Sequence, residues 1–122
     1  MNLYSDDFLP PAPTLTIEVR NAQSGAATTV LAKIDSGADG SVIPVRLVEE
    51  LGLIPFDTLL SMAFDGSVEK QISYLVDFTF ADKQFHDLEV ITAPLDYVLI
   101  GRDVLNHIVT ILNGPDQQLY IR

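Results

Sequence analysis

The chain has no cysteine and no tryptophan among its 122 residues, and only two histidines. Without cysteine there is no disulfide, no thiolate zinc site and no thiol nucleophile. His86 and His107 are the only imidazoles, and no third ligand stands at a spacing suited to a metal, so neither a metal nor another cofactor is expected. His107 reads as a satisfied or capping residue near a helix end, and His86 as a strand surface residue. Basic residues are scarce as well. Seven Lys and Arg face seventeen Asp and Glu, for a net charge of -10. They are scattered singly, so the clustered cations that contact phosphates are missing, and nucleic acid is not an expected partner. Anionic lipid would repel the same surface, and no run approaches the roughly 20 apolar residues of a membrane span. The first residues carry Asp6 and Asp7, then Pro10, Pro11 and Pro13, which reverses the basic start and apolar run of a secretory signal. A cytoplasmic protein with no membrane contact is the expectation.

Apolar residues, by contrast, are plentiful. At 48% hydrophobic and 20% charged, the composition is that of a folded chain, and 122 residues suit a single domain that needs no staple. Residues 1–13 read as an extended arm, because three prolines remove donors and fix φ. Residues 14–122 read as the domain. Leu15, Ile17 and Val19 alternate with Thr16 and Glu18, and after the Ser24-Gly25 turn Val30, Ala32 and Ile34 share one face, which predicts a hairpin. Pro44 suits the first turn of a short helix over 44–51, with Gly52 at its C′ position. Strands over 58–64 and 67–80 flank Asp65-Gly66, a hairpin-turn dipeptide. A mixed strand follows over 85–92. Residues 97–100, a continuous apolar run ending at Gly101, read as a buried strand. A second short helix starts in 103–107. Val109 to Leu112 and Leu119 to Ile121 flank the Asn113-Gly114 turn. The sum is an all-β domain with two short helices.

Two segments could carry chemistry. Asp35-Ser36-Gly37-Ala38-Asp39-Gly40 follows an apolar strand directly. Alone it reads equally as a surface turn, since Asp, Ser and Gly are turn residues. A calcium loop is a second reading, with Asp35, Asp39 and Gly40 at positions one, five and six. Against it, Gly37 and Arg46 occupy positions three and twelve, where oxygen ligands belong. The other segment is Val98-Leu99-Ile100-Gly101-Arg102-Asp103, by itself a buried strand ending in a turn.

Taken together, in this order and with a hairpin between them, the two segments resemble the retropepsin-like (retroviral-type) aspartic proteases and their bacterial single-domain members. The matching residues are Lys33-Ile34-Asp35-Ser36-Gly37-Ala38-Asp39 and Leu99-Ile100-Gly101-Arg102-Asp103, and the resemblance covers roughly residues 14–121. It implies a closed, barrel-like half-site domain with a flap hairpin. It implies that Asp35 is the catalytic aspartate and that Ser36 and Gly37 support the active-site loop. Gly37, Ala38 and Asp39, with Phe64, Asp65 and Gly66 at the flap tip, would bind substrate. Asp39 would pair with Arg102, and Gly101 would let its strand end pass behind the catalytic loop. The Phe64-Asp65-Gly66-Ser67 tip departs from the glycine-rich tip with Ile of many viral members. Gly40 stands where many members carry a second polar cleft residue.

Hydrolysis by this route needs one carboxylate to take a proton from water and another to polarise the scissile carbonyl. Two carboxylates at hydrogen-bond distance hold one proton between them and titrate as a unit. The chain has a single Asp-Ser-Gly, so the twin must come from a second copy on a two-fold axis. The expected partners are therefore a like subunit, sealed through Leu119 to Ile121 as an otherwise exposed edge strand, and a peptide or protein substrate. Glu49, Glu50 and the scattered acids form a solvated face, or bias the cleft toward basic peptides. The competing function is a non-catalytic dimerisation or peptide-binding module that keeps the same fold.

Overall fold

The computed structural model describes residues 1–63 and 65–122. Its elements, in chain order, are β1 (Asn2–Leu3), β2 (Thr14–Asn21), β3 (Ala27–Ile34), β4 (Val42–Pro44), α1 (Arg46–Glu50), β5 (Asp57–Met62), β6 (Val68–Phe80), β7 (Lys83–Ala93), β8 (Val98–Ile100), α2 (Arg102–Leu105), β9 (Thr110–Asn113) and β10 (Gln118–Ile121).

Period-two patterning sets the architecture. β2 and β3 pair antiparallel with Leu15 opposite Ala32 and Ile17 opposite Val30, so one register puts Leu15, Ile17, Val19, Val30, Ala32 and Ile34 on the same face. The sheet continues from β3 through β8, β4 and β7 to β6, and β6 returns to pair with β2. Six strands thus close into a barrel and hide their own edges. Ile17, Val19, Ala32, Ile43, Val76, Phe78, Val90, Val98 and Ile100 fill it, with Leu47 of α1, Val104 of α2 and Leu119 of β10 sealing its ends. β6 and β7 are joined by a two-residue turn in which Ala81 and Asp82 both take positive φ, the conformation whose twist matches that of the flanking strands. β5 pairs only with the first half of β6, so this pair projects from the barrel as a two-stranded arm.

The pairing is mixed. β3 runs parallel to β8 and β4 parallel to β7, while β4 meets β8 antiparallel at Val42 opposite Leu99. The segment between β3 and β4 must therefore cross the end of β8. Everything that concerns the functional site follows from that crossing.

Three expectations change in detail. Pro44 ends β4 instead of opening a helix: it pairs beside Ala93, where no donor is required of it, and the next amide, Val45, donates to the Ala93 carbonyl at 2.9 Å. The first helix is accordingly shorter, although Gly52 does take the positive φ of a C′ residue. The second helix starts earlier, because the Gly101 carbonyl accepts the amides of Val104 and Leu105. Finally, β10 is no bare edge. It lies between β9 and β1, and Asn2 and Leu3 cover it at Leu119 and Gln118. No helix among the described residues is long and apolar enough to cross a membrane.

One buried polar side chain ties the first hairpin to α1. Asn21 donates from Nδ2 to the carbonyls of Leu51 (3.0 Å) and Gly52 (3.3 Å), and its Oδ1 accepts the amides of Gln23 and Ser24. Truncation strands carbonyls and amides that have no other side-chain partner there. We expect Asn21→Ala to lower unfolding free energy by about 1–3 kcal/mol, read as a lower urea midpoint at unchanged slope. An unchanged midpoint would contradict this role.

Candidate active site

β3 delivers Asp35 to the crossing. The Asp35 amide donates to the Ile100 carbonyl at 3.0 Å, which extends the β3–β8 pairing by one residue. The chain then turns back on itself. The Asp35 carbonyl accepts the Ala38 amide at 3.2 Å, and its Oδ1 accepts the Gly37 amide at 3.0 Å. This fixes the carboxylate against its own loop. A Cβ at Gly37 would crowd that same oxygen at 3.3 Å.

Behind the loop passes the end of β8. A Cβ built on Gly101 would lie 2.7 Å from both the carbonyl carbon and oxygen of Gly40, and 3.0 Å from the Ala38 oxygen. Only a residue without a side chain lets the two backbones approach this closely. Arg102 then binds the loop from below. Its amide donates to the Ala38 carbonyl at 2.9 Å, Nη1 donates to the Ser36 carbonyl at 2.6 Å, and Nη2 donates to the Asp39 carboxylate. Asp39 is nearly fully exposed, so the value of this pair lies in orientation more than in stability.

The second clasp was not visible in the sequence. Ser41 is buried; its hydroxyl donates to Asp103 Oδ1 at 2.8 Å and accepts the Gly101 amide at 3.0 Å. The Ser41 amide donates to Asp103 Oδ2 at 3.0 Å, and Asp103 Oδ1 also accepts the Val104 amide at the start of α2. One carboxylate therefore joins the loop, the strand end and the helix. No periodicity links residues 62 positions apart; the only local sign was an acid directly after Gly101-Arg102.

In front of the loop lies a cleft of about 540 Å³, walled by Gly37 to Val42, by Leu59 to Met62 of β5, and by Glu89 and Ile91 of β7. Gly37, Ala38 and Asp39 line it directly. Asp35 and Ser36 stand just before that wall on the same loop. At the tip of the β5–β6 arm, the Ala63 amide donates to the Ser67 carbonyl at 2.9 Å and Gly66 takes a φ of +84°. The Ser67 hydroxyl and amide bond the exposed Asp65 and hold its carboxyl below the usual carboxylate range. Asp65 and Gly66 are not among the residues that line the cleft, and Phe64 lies outside the described residues. The residues that sequence reasoning missed are Ser41, Asp103 and the β5 and β7 wall. Both histidines are exposed, away from the loop; His86 sits 3.3 Å from Asp77 on the outer face of β6 and β7.

The clasp gives a direct stability test. Ser41→Ala leaves the buried Gly101 amide and the Asp103 carboxylate each short of a partner, so we expect a loss of about 1–3 kcal/mol. Gly101→Ala, which forces two backbones apart, should cost more. Urea titrations that place both variants at the wild-type midpoint would contradict the clasp.

The comparisons with known proteins agree on one family. A family model described as aspartyl protease matches residues 17–104. Among solved structures, the simian foamy virus (mac) protease is 26% identical, with 77% of this chain and 92% of that chain covered and a TM-score of 0.57. The EIAV protease complexed with the inhibitor HBY-793 is 18% identical, covering 79% of this chain and 86% of that one, with a TM-score of 0.62. A retropepsin-like aspartic protease from Rickettsia conorii is 18% identical and covers 99% of this chain and 95% of that one, with a TM-score of 0.54. No curated protein matches the chain in sequence. A closed barrel, a projecting hairpin arm and a family match over most of the domain lead to one conclusion: the chain belongs to the aspartyl protease family and is an aspartic-type endopeptidase of the retropepsin-like fold.

Proposed function

We propose that the chain is one half of a homodimeric endopeptidase in which two Asp35 carboxylates, one from each subunit, activate the water that hydrolyses a peptide bond. The observation that carries this reading is the loop from Asp35 to Ser41. Ile100, Arg102 and Asp103 tie it tightly to its own chain. Yet among the described residues the Asp35 carboxylate receives only the Gly37 amide. The loop is built to hold a carboxylate still, and it offers one where the chemistry needs two.

The steps follow from two carboxylates sharing one proton. The ionised one takes a proton from the bound water as the water oxygen attacks the scissile carbonyl carbon. The protonated one donates to the carbonyl oxygen, which becomes a hydroxyl of the tetrahedral intermediate. Collapse breaks the C–N bond: one hydroxyl of the intermediate returns its proton to the pair as the carbonyl re-forms, the leaving nitrogen takes a proton from the pair, and the pair ends with the single proton it began with. Ser36 bonds across to the partner's loop and fixes the distance between the two acids. Gly37 and Ala38 form the floor along which the substrate backbone runs. Asp39, steadied by Arg102, accepts a substrate amide on the carboxylate oxygen that Arg102 leaves open. The arm, with Asp65 and Gly66 at its tip, closes over the bound peptide.

The dimer seal belongs at the terminal sheet. β1 reaches only to Leu119, so β10 has a partner on β9 alone at Tyr120 and Ile121. Leu3, Val109, Leu112 and Tyr120 expose apolar surface around that half-open edge. A second copy pairing there would cover both the edge and the patch.

Asp35→Asn keeps the loop's size and its Gly37 bond but removes the acid. We expect it to lose proteolysis of a peptide library by at least about three orders of magnitude, consistent with removing a general base and acid together, while sedimentation still gives a dimer. Cleavage retained by this variant, sensitive to the same aspartic protease inhibitor as the wild type, would overturn the assignment.

A further inference from the structure

Resting on the proposed function, we propose that Glu89 makes this cleft selective for a Lys or Arg side chain of the substrate. Glu89 lies on β7, opposite Leu75 of β6, and its side chain helps wall the cleft. Ser73, itself fully buried, donates its hydroxyl to Glu89 Oε2 at 2.6 Å. A hydroxyl fixed in the barrel wall thereby holds the half-buried carboxylate of a residue that lines the cleft. No Lys, Arg or His among the described residues lies within ion-pairing distance of it. An ionised acid with one hydrogen bond and reduced hydration gains from a cation that arrives with the ligand.

The rest of the wall suits the stem of such a cation. Val42, Leu59, Met62 and Ile91 are apolar, and a long basic side chain lays its methylenes along apolar surface while its head reaches a polar partner. Gly40 adds no side chain to the floor, and the space where its Cβ would stand is open. Asp39, the other acid on the wall, has its charge paired with Arg102, whereas Glu89 has no such cation beside it among the described residues. The chain's net charge of -10 draws basic peptides toward the cleft as well. Two-fold symmetry duplicates the pocket, so the preference should recur at two positions related across the scissile bond.

The test compares matched peptides that carry Lys or norleucine, a stem of similar shape without the charge, scanned through each position around the cleaved bond. For wild type we expect kcat/KM for Lys about tenfold or more above norleucine at two symmetry-related positions, carried mainly by KM and shrinking as salt is raised. In Glu89→Gln, whose side-chain oxygen can still accept from Ser73, the ratio should fall to near one. Fluorescence anisotropy of a labelled Lys peptide on the Asp35→Asn protein, with and without Glu89→Gln, reads the same selectivity without turnover. A ratio near one in wild type at every position, or a ratio unmoved by Glu89→Gln, overturns the inference. Absence of all cleavage, with Lys-selective binding intact, would instead remove the catalytic reading and leave the pocket assignment standing.

Discussion

Two backbones touch where side chains cannot fit: Gly101, at the end of β8, lies against Gly40 and Ala38 of the loop in front of it. This contact is the constraint on which the site depends. The mixed pairing of β3, β8 and β4 forces the loop to cross the strand end, and the absence of a Cβ at 101 sets how closely it crosses. Around it, Arg102 bonds the Ser36 and Ala38 carbonyls and the Asp39 carboxylate, and Asp103 captures Ser41. A loop of small residues, which in isolation would sample many conformations, is held in one. Preorganisation of this kind lets a carboxylate act without first being ordered by its substrate.

The same loop explains why the barrel is not a complete site on the proposed reading. All of its internal bonds position Asp35; none supplies a neighbour for it. The cleft in front is walled on one side by the loop and β7 and on another by the hairpin arm. On that reading the barrel would provide rigidity, the arm cover, and the terminal sheet, with its half-open β10 edge, a place for a second copy.

Much of this was legible in the sequence, for identifiable reasons. Alternation over 14–20 and 28–34 marked β2 and β3, because one face of each is buried and the other is not. Asp65-Gly66 marked the arm's turn, and the apolar run at 97–100 marked β8. The pairing of Asp39 with Arg102 came from family resemblance alone, since no local pattern joins them. What was illegible was short or distant. β4 and β1 have too few residues to carry a period, so Pro44 looked like a helix start and β10 looked like a bare edge. The Ser41–Asp103 clasp joins residues that only the fold brings together. Glu89 sat in a strand whose mixed pattern gave no hint that one of its faces lines a cleft.

On the proposed reading, a single chain carries half of the reacting pair. Mixing tests it most directly: wild-type subunits are co-refolded with increasing amounts of Asp35→Asn subunits, and activity is measured per wild-type subunit. If each site needs two Asp35 carboxylates, random pairing lowers that activity to about half at equal mixing and toward zero in excess variant, because mixed dimers are dead. Activity per wild-type subunit that stays constant across the titration would mean that one chain forms a whole site, and would overturn the shared pair of Asp35 carboxylates.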